Sequence, residues 1–278
     1  MKNAIVVATL VLGASAAEAQ QLELPRPSPT AHVSQTIGVT DITVDYSSPA
    51  VNGRPIWGAL VPYDKVWRTG ANAATKLTFS KDVLVADKPV PAGSYALFTI
   101  PGKSSWTVIL NKNFNQNGST GYKESDDLLR FTATPQASAP RERLAFLFAD
   151  FDNNHAALEL EWERLRLTIP VRAKTDEQAL ASIRALSDGG WRPWNSAARY
   201  LLEVRKDPDA GLMLVEKSLA LHEDWLNLFT KAQLLAMKHR YPEATALAEK
   251  AQSLGAHAEQ FFLADEVKKS LADWKARK

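Results

Sequence analysis

ALELEWERLRLTIPVRAKTDEQALASIRAL, residues 157–186, carries two periods back to back. Leu158, Leu160 and Trp162 alternate with Glu159, Glu161 and Glu163. A period of two is that of a strand with one buried and one wet face. Residues 164–169 continue as a second strand of the same kind. Past Thr175 the period changes. Residues 176–186 read as a helix, with Thr175 placed to cap it. The chain is therefore expected to put strands before this point and helices after it.

Upstream, residues 32–46 alternate Val33, Ile37, Val39, Ile42, Val44 and Tyr46 with Ser, Thr and Asp, and a hairpin is expected near Thr40–Asp41. Short strands follow at 76–80, 83–86, 95–100, 106–110, 128–133 and 143–148. Residues 87–93 (DKPVPAG) read as turns, Pro101-Gly102-Lys103 as a hairpin connection, and 111–121 as a long loop. About ten short strands with turns between them point to an antiparallel sandwich or barrel over 32–171.

Downstream, helical runs are expected at 195–206, 209–221, 225–240, 242–254 and 258–274. Setting Asp207-Pro208-Asp209 against Arg240-Tyr241-Pro242 aligns Gly211 with Ala244, Ser218 with Ala251 and Leu221 with Leu254. The offset of about 33 residues is close to that of tetratricopeptide repeats, in which small residues let helices approach. The expectation for 175–278 is an all-α, tetratricopeptide-like domain; a generic helical bundle is the alternative. The fold class is thus α+β in two segregated domains.

The chain has 278 residues, 45% hydrophobic and 23% charged, which is a globular composition. A net charge of +2 gives no ground for a nucleic-acid partner. Residues 1–19 read as a secretory signal peptide: Lys2, a short apolar run, then Ala17-Glu18-Ala19 as the cleavage site. Residues 20–31 are an extended, Pro-rich lead-in. There is no cysteine to form a disulfide or carry a lipid. The expected location is periplasmic or secreted, with no membrane span left after cleavage.

Chemistry concentrates in residues 56–79, IWGALVPYDKVWRTGANAATKLTF. Two readings fit. As a ligand surface, Trp57, Tyr63 and Trp67 stack on a sugar or a peptide side chain, Arg68 takes a carboxylate, and Asn72 adds amide bonds. As architecture, the aromatics plug the fold while Arg and Asn satisfy loop carbonyls. Asp150, Asp152, Asn154 and Glu161 have calcium-loop spacing, but His155 stands where that loop wants glycine, and a turn explains them as well. The five histidines have no zinc spacing, and no nucleophile, phosphate-loop or dinucleotide motif is present. No metal or cofactor is expected.

Pro25-Arg26-Pro27-Ser28-Pro29, Val33 to Gly38, Tyr46-Ser47 to Pro49, Gly53-Arg54 with Ile56-Trp57-Gly58, VWRTGAN at 66–72, Pro91-Ala92-Gly93 with Tyr95, and Trp106 to Ile109 together resemble the domain of unknown function (DUF) 2911 family. The resemblance covers about residues 22–171 and implies an exported bacterial protein whose β-domain often runs into a helical tail. It implies no activity. The function expected is non-enzymatic binding of an envelope glycan or peptide through Trp57, Tyr63, Trp67, Arg68 and Asn72, with a protein partner on the helical repeats. An envelope hydrolase using Asp64, Arg68 or the Glu159–Glu161 face is the alternative, as is a purely structural scaffold.

Overall fold

The computed structural model describes residues 24–187 and 189–277; the expected signal peptide lies outside them. The chain divides between Lys174 and Thr175 into two compact units.

The first unit holds ten strands: β1 (Thr30–Ile37), β2 (Thr40–Ser47), β3 (Thr75–Phe79), β4 (Val83–Val85), β5 (Lys88–Val90), β6 (Gly93–Ile100), β7 (Trp106–Asn111), β8 (Asp127–Ala133), β9 (Gln136–Ala149) and β10 (His155–Ala173). They form two antiparallel sheets, ordered β1-β2-β3-β6-β7-β8 and β5-β4-β10-β9. Of the sandwich and barrel expected, the sheets are two and open, so a barrel is set aside. Alternation explains the layering. Ile42, Val44, Leu77, Leu97, Val108 and Leu110 turn inward from one sheet, and Leu144, Leu158, Leu160, Leu167 and Ile169 from the other, into one shared core.

β10 is not straight. A straight strand of its length would hold its ends roughly 60 Å apart. Instead the Ala173 N–H donates to the Asn154 carbonyl at 2.7 Å, and the Thr168 hydroxyl reaches Glu159 Oε1 at 3.4 Å. Both pairs are symmetric about the Glu163–Arg164 peptide, and Glu163 has a φ of 57°. The span therefore doubles back there, giving the two arms that the alternation indicates. Glu159 differs from the wet face expected. The fold-back buries it against Thr168 and Arg166, whose Nη1 lies 3.5 Å away.

The second unit holds α1 (Thr175–Arg184), α2 (Trp191–Tyr200), α3 (Pro208–Leu221), α4 (Trp225–Met237), α5 (Tyr241–Gly255) and α6 (Ala264–Lys275). Thr175 is the first residue of α1 rather than its cap. Local chemistry sets other ends. Asp207 accepts from the Ala210 N–H ahead of Pro208, and Asp224 and Asn227 close a capping box on α4. α2 runs into a π-helical turn at Leu201–Arg205 and stops at Lys206, φ 53°. Ala232, Ala244, Ala248 and Ala251 are fully buried between α4 and its neighbours. Gly211 sits so close to Leu234 that an added Cβ would fall 2.5 Å from its Cδ2. Among the described residues no helix is long and apolar enough to cross a membrane.

Candidate functional site

The segment from Trp57 to Asn72 joins β2 to β3, and its side chains go to different places. Trp57 lies in a tight turn closed by the Gly58 N–H on the Val61 carbonyl at 2.8 Å. Trp67 exchanges both backbone bonds with Thr99 of β6, at 2.7 and 2.9 Å. This brings the two indoles together, edge to face at 5.8 Å. Beneath them lie Trp106 and Trp162, each 1% exposed. Trp57 stands 4.9 Å from Trp106 and 5.7 Å from Trp162, while Trp67 stacks on Trp162 at 6.0 Å. The four rings form one cluster, with Trp57 and Trp67 half-buried and packed against the shared core. The Trp67 Nε1 donates to the Gly70 carbonyl at 3.1 Å, whereas the buried Trp57 Nε1 and Trp162 Nε1 have no partner among the described residues. Each such orphan costs about 1–3 kcal/mol, and burying an indole outweighs it.

Tyr63 covers the turn. Gly58 has a φ of 82°, and a Cβ there would lie 2.5 Å from Tyr63 Cε2. Only glycine meets both demands.

Arg68-Thr69-Gly70-Ala71-Asn72 is a backbone-strained turn. Thr69 is buried with φ 55°, an uncommon state for a β-branched residue. It is held because its hydroxyl donates to Thr99 Oγ1 at 3.2 Å and its carbonyl accepts from Thr75 Oγ1 at 2.8 Å. Asn72 also adopts a left-handed φ, 57°, and its amide donates to the Ser28 carbonyl and Ser47 Oγ, both at 3.2 Å. It thereby ties the Pro-rich lead-in to the end of β2. The loop between β7 and β8 docks on the same turn: Gly118 N–H donates to the Asn72 carbonyl at 3.0 Å and Ala74 N–H to the Gln116 carbonyl at 3.1 Å.

Arg68 is the exception. It is half-buried, its Nε is buried without a partner, and its side chain forms no hydrogen bond or ion pair among the described residues. Its guanidinium lies along the docked loop, where a Cβ on Gly118 would come within 3.5 Å of Nη1. Loop carbonyls are satisfied by other arginines. Arg54 donates to Ala50 and Val51, and Arg143 to Pro27 and Ser48. The structure thus brings Trp57 and Trp67 together, sets Tyr63 over Gly58, and holds Arg68 and Asn72 on one strained turn with different duties.

Of the other candidate carboxylates, Glu159 and Glu161 pair with Arg166 and Arg141. Asp152 Oδ1 accepts the N–H groups of Asn154 and His155 at 2.6 and 2.9 Å, which holds its pKa below the usual carboxylate value and accounts for the turn. Among the described residues no three His, Cys, Asp or Glu side chains gather as metal ligands. One polar group went unnoticed in the sequence: His32, Asp45 and Lys76 meet across β1, β2 and β3. The hairpin at Gly38–Val39 pairs His32 with Asp45 by register alone.

No curated protein and no solved structure matches the chain. The family model described as protein of unknown function (DUF2911) matches residues 28–171, more than half of the chain, and the chain belongs to that family.

Proposed function

We propose that this is a non-enzymatic binding protein of the bacterial envelope, exported to the periplasm or beyond, whose β-unit holds an acidic ligand through Arg68. The observation that carries the reading is the guanidinium with a buried, unpartnered Nε beside a strained turn. A buried donor without an acceptor costs stability, so a fold that retains one gains from a group that arrives later. A carboxylate matches the planar fork of arginine, and envelope glycans and peptides both carry carboxylates. Trp57, Tyr63, Trp67 and Asn72 then act as the support that positions Arg68. The fit of Gly211, Ser218, Ala244 and Ala251 to buried helix contacts supports reading the helical unit as tetratricopeptide-like, with a protein partner on its repeats. Calorimetric titration with uronate-bearing oligosaccharides and with peptides ending in a free carboxylate tests the ligand. Binding that disappears in Arg68→Met supports the reading; binding unchanged in that variant, or no binding to either class, contradicts it.

The scaffold reading has one observation of its own, the four-tryptophan plug. It predicts that Arg68→Met changes neither binding nor stability.

A further inference from the structure

The outer face of β1, β2 and β3 forms the floor of a cleft of about 490 Å³. One wall is the loop between β7 and β8, which places Phe114 over the cleft with 37% of its surface exposed. On the floor, His32 pairs with Asp45 and Asp45 with Lys76 by strand register. Both carboxylate oxygens of Asp45 are engaged. His32 Nδ1 lies 2.7 Å from Oδ1, and Lys76 Nζ 2.9 Å from Oδ2. Burial pushes the pKa of Asp45 up, but its bonds to His32 and Lys76 outweigh this and bring it below the ordinary carboxylate value. The carboxylate is therefore charged at neutral pH and bridges two bases.

The bridge leaves free valences. His32 keeps Nε2, Lys76 keeps ammonium hydrogens, and Asp45 keeps lone pairs. Thr30 and Ser47 add hydroxyls at the cleft's edge. Two residues further along the same strand faces, Ser34, Thr43, Thr78 and Ser94 continue as a row of hydroxyls, with contacts of 3.3 Å from Ser34 to Thr43 and 2.8 Å from Thr78 to Ser94. This is a rigid platform of mixed donors and acceptors whose charges cancel when His32 is neutral. An anion would meet a lysine already paired, and an apolar chain would meet polar groups it could not satisfy. A sugar offers what both lack: many hydroxyls that donate and accept, and a C–H face for an aromatic ring.

We infer that this cleft is a saccharide site, in which a neutral sugar ring packs on Phe114 and its hydroxyls bond to His32, Asp45 and Lys76. Arg68 does not line this cleft, and the loop that carries Phe114 also carries Gly118 beside Arg68. A glycan array displaying neutral and acidic saccharides, probed with the full mature chain, tests it. The expected result is a signal on neutral saccharides that falls about tenfold or more in Phe114→Ala and in Asp45→Asn, and persists in Arg68→Met. Phe114 lies on an exposed loop, and circular dichroism of Phe114→Ala checks that its fold is intact. No neutral-saccharide signal, or one that survives Phe114→Ala, or one lost in Arg68→Met but kept in Phe114→Ala, would overturn the inference.

Discussion

Trp57 and Trp67 stand edge to face at 5.8 Å, ten residues apart in the chain, because each is fixed by backbone bonds to a different neighbour. Trp57 is fixed by its own turn, Trp67 by Thr99 on β6. Their shared floor of Trp106 and Trp162 packs the half-buried pair against the core. Trp67→Ala is therefore expected to cost about 3 kcal/mol or more, through lost burial and a cavity. Urea unfolding followed by near-ultraviolet circular dichroism checks it. A midpoint unchanged from the parent would show that the ring is dispensable.

Gly58 and Tyr63 form a coupled pair. Gly58→Ala adds a methyl 2.5 Å from the Tyr63 ring and strains a φ of 82°. A loss of about 1–3 kcal/mol is expected. In a Tyr63→Ala background the clash is gone and only the backbone penalty of about 1 kcal/mol stays. A double-mutant cycle measures the difference, and simple additivity would mean that Tyr63 swings aside at no cost.

Asn72 has two structural roles that substitution separates. Asn72→Gly keeps the left-handed backbone and loses the bonds to Ser28 and Ser47. Asn72→Ala loses both. Alanine should be the more destabilising of the two by about 1 kcal/mol. Equal midpoints in thermal unfolding would place the whole cost in the side-chain bonds.

Two tyrosines set an alkaline limit, one in each unit. Burial, followed by its bond to Asp127, pushes Tyr122 up to about 12, and burial followed by its bond to Asp176 does the same for Tyr200. Each hydroxyl donates to its carboxylate at 2.7 Å. Ionising late in the folded chain and at about 10 in the unfolded one, both stabilise fully below pH 10 and lose that contribution as pH rises toward about 12. Tyrosinate absorbance during a pH titration should therefore show Tyr122 and Tyr200 titrating late, together with Tyr95, which burial also pushes up. Tyr122→Phe should flatten the loss of stability in that window, and a slope like the parent's would argue against its part in it.

The residues that show their structure in sequence are those whose partners lie near in the chain. Leu158 to Ile169 alternate, so both arms of β10 were legible, as was the hairpin at Pro101, while the one expected near Thr40–Asp41 turns two residues earlier at Gly38–Val39. The burial of Glu159 was not, because alternation gives a face and says nothing of what covers it. β5 was hidden among the prolines of DKPVPAG, where three residues carry no period. β9 begins at Gln136 rather than 143 because its polar first half pairs near the turn of β10, a relation no local window contains. α6 begins at Ala264, six residues late, since Phe261 and Phe262 pack edge-on against Trp225 and leave the helix to start after them. In the candidate site, the glycine and asparagine turns could be read from composition. An aromatic plug was one of two readings there, but its membership could not be read, since it joins Trp57 and Trp67 of one connection to Trp106 on β7 and Trp162 on β10. Nor could the solitude of Arg68, since the same residue type satisfies loop carbonyls at Arg54 and Arg143.

The most direct test compares the parent with Arg68→Met, which keeps the aliphatic stem and removes the guanidinium. Equilibrium urea unfolding of both gives the stability, and titration with a uronate-bearing oligosaccharide gives the binding. A guanidinium held for a ligand leaves no broken bond behind, so Arg68→Met is expected to unfold at the parent's midpoint or above it and to lose binding. A stability lowered by more than about 2 kcal/mol, with binding intact, would make Arg68 a structural residue and contradict the account.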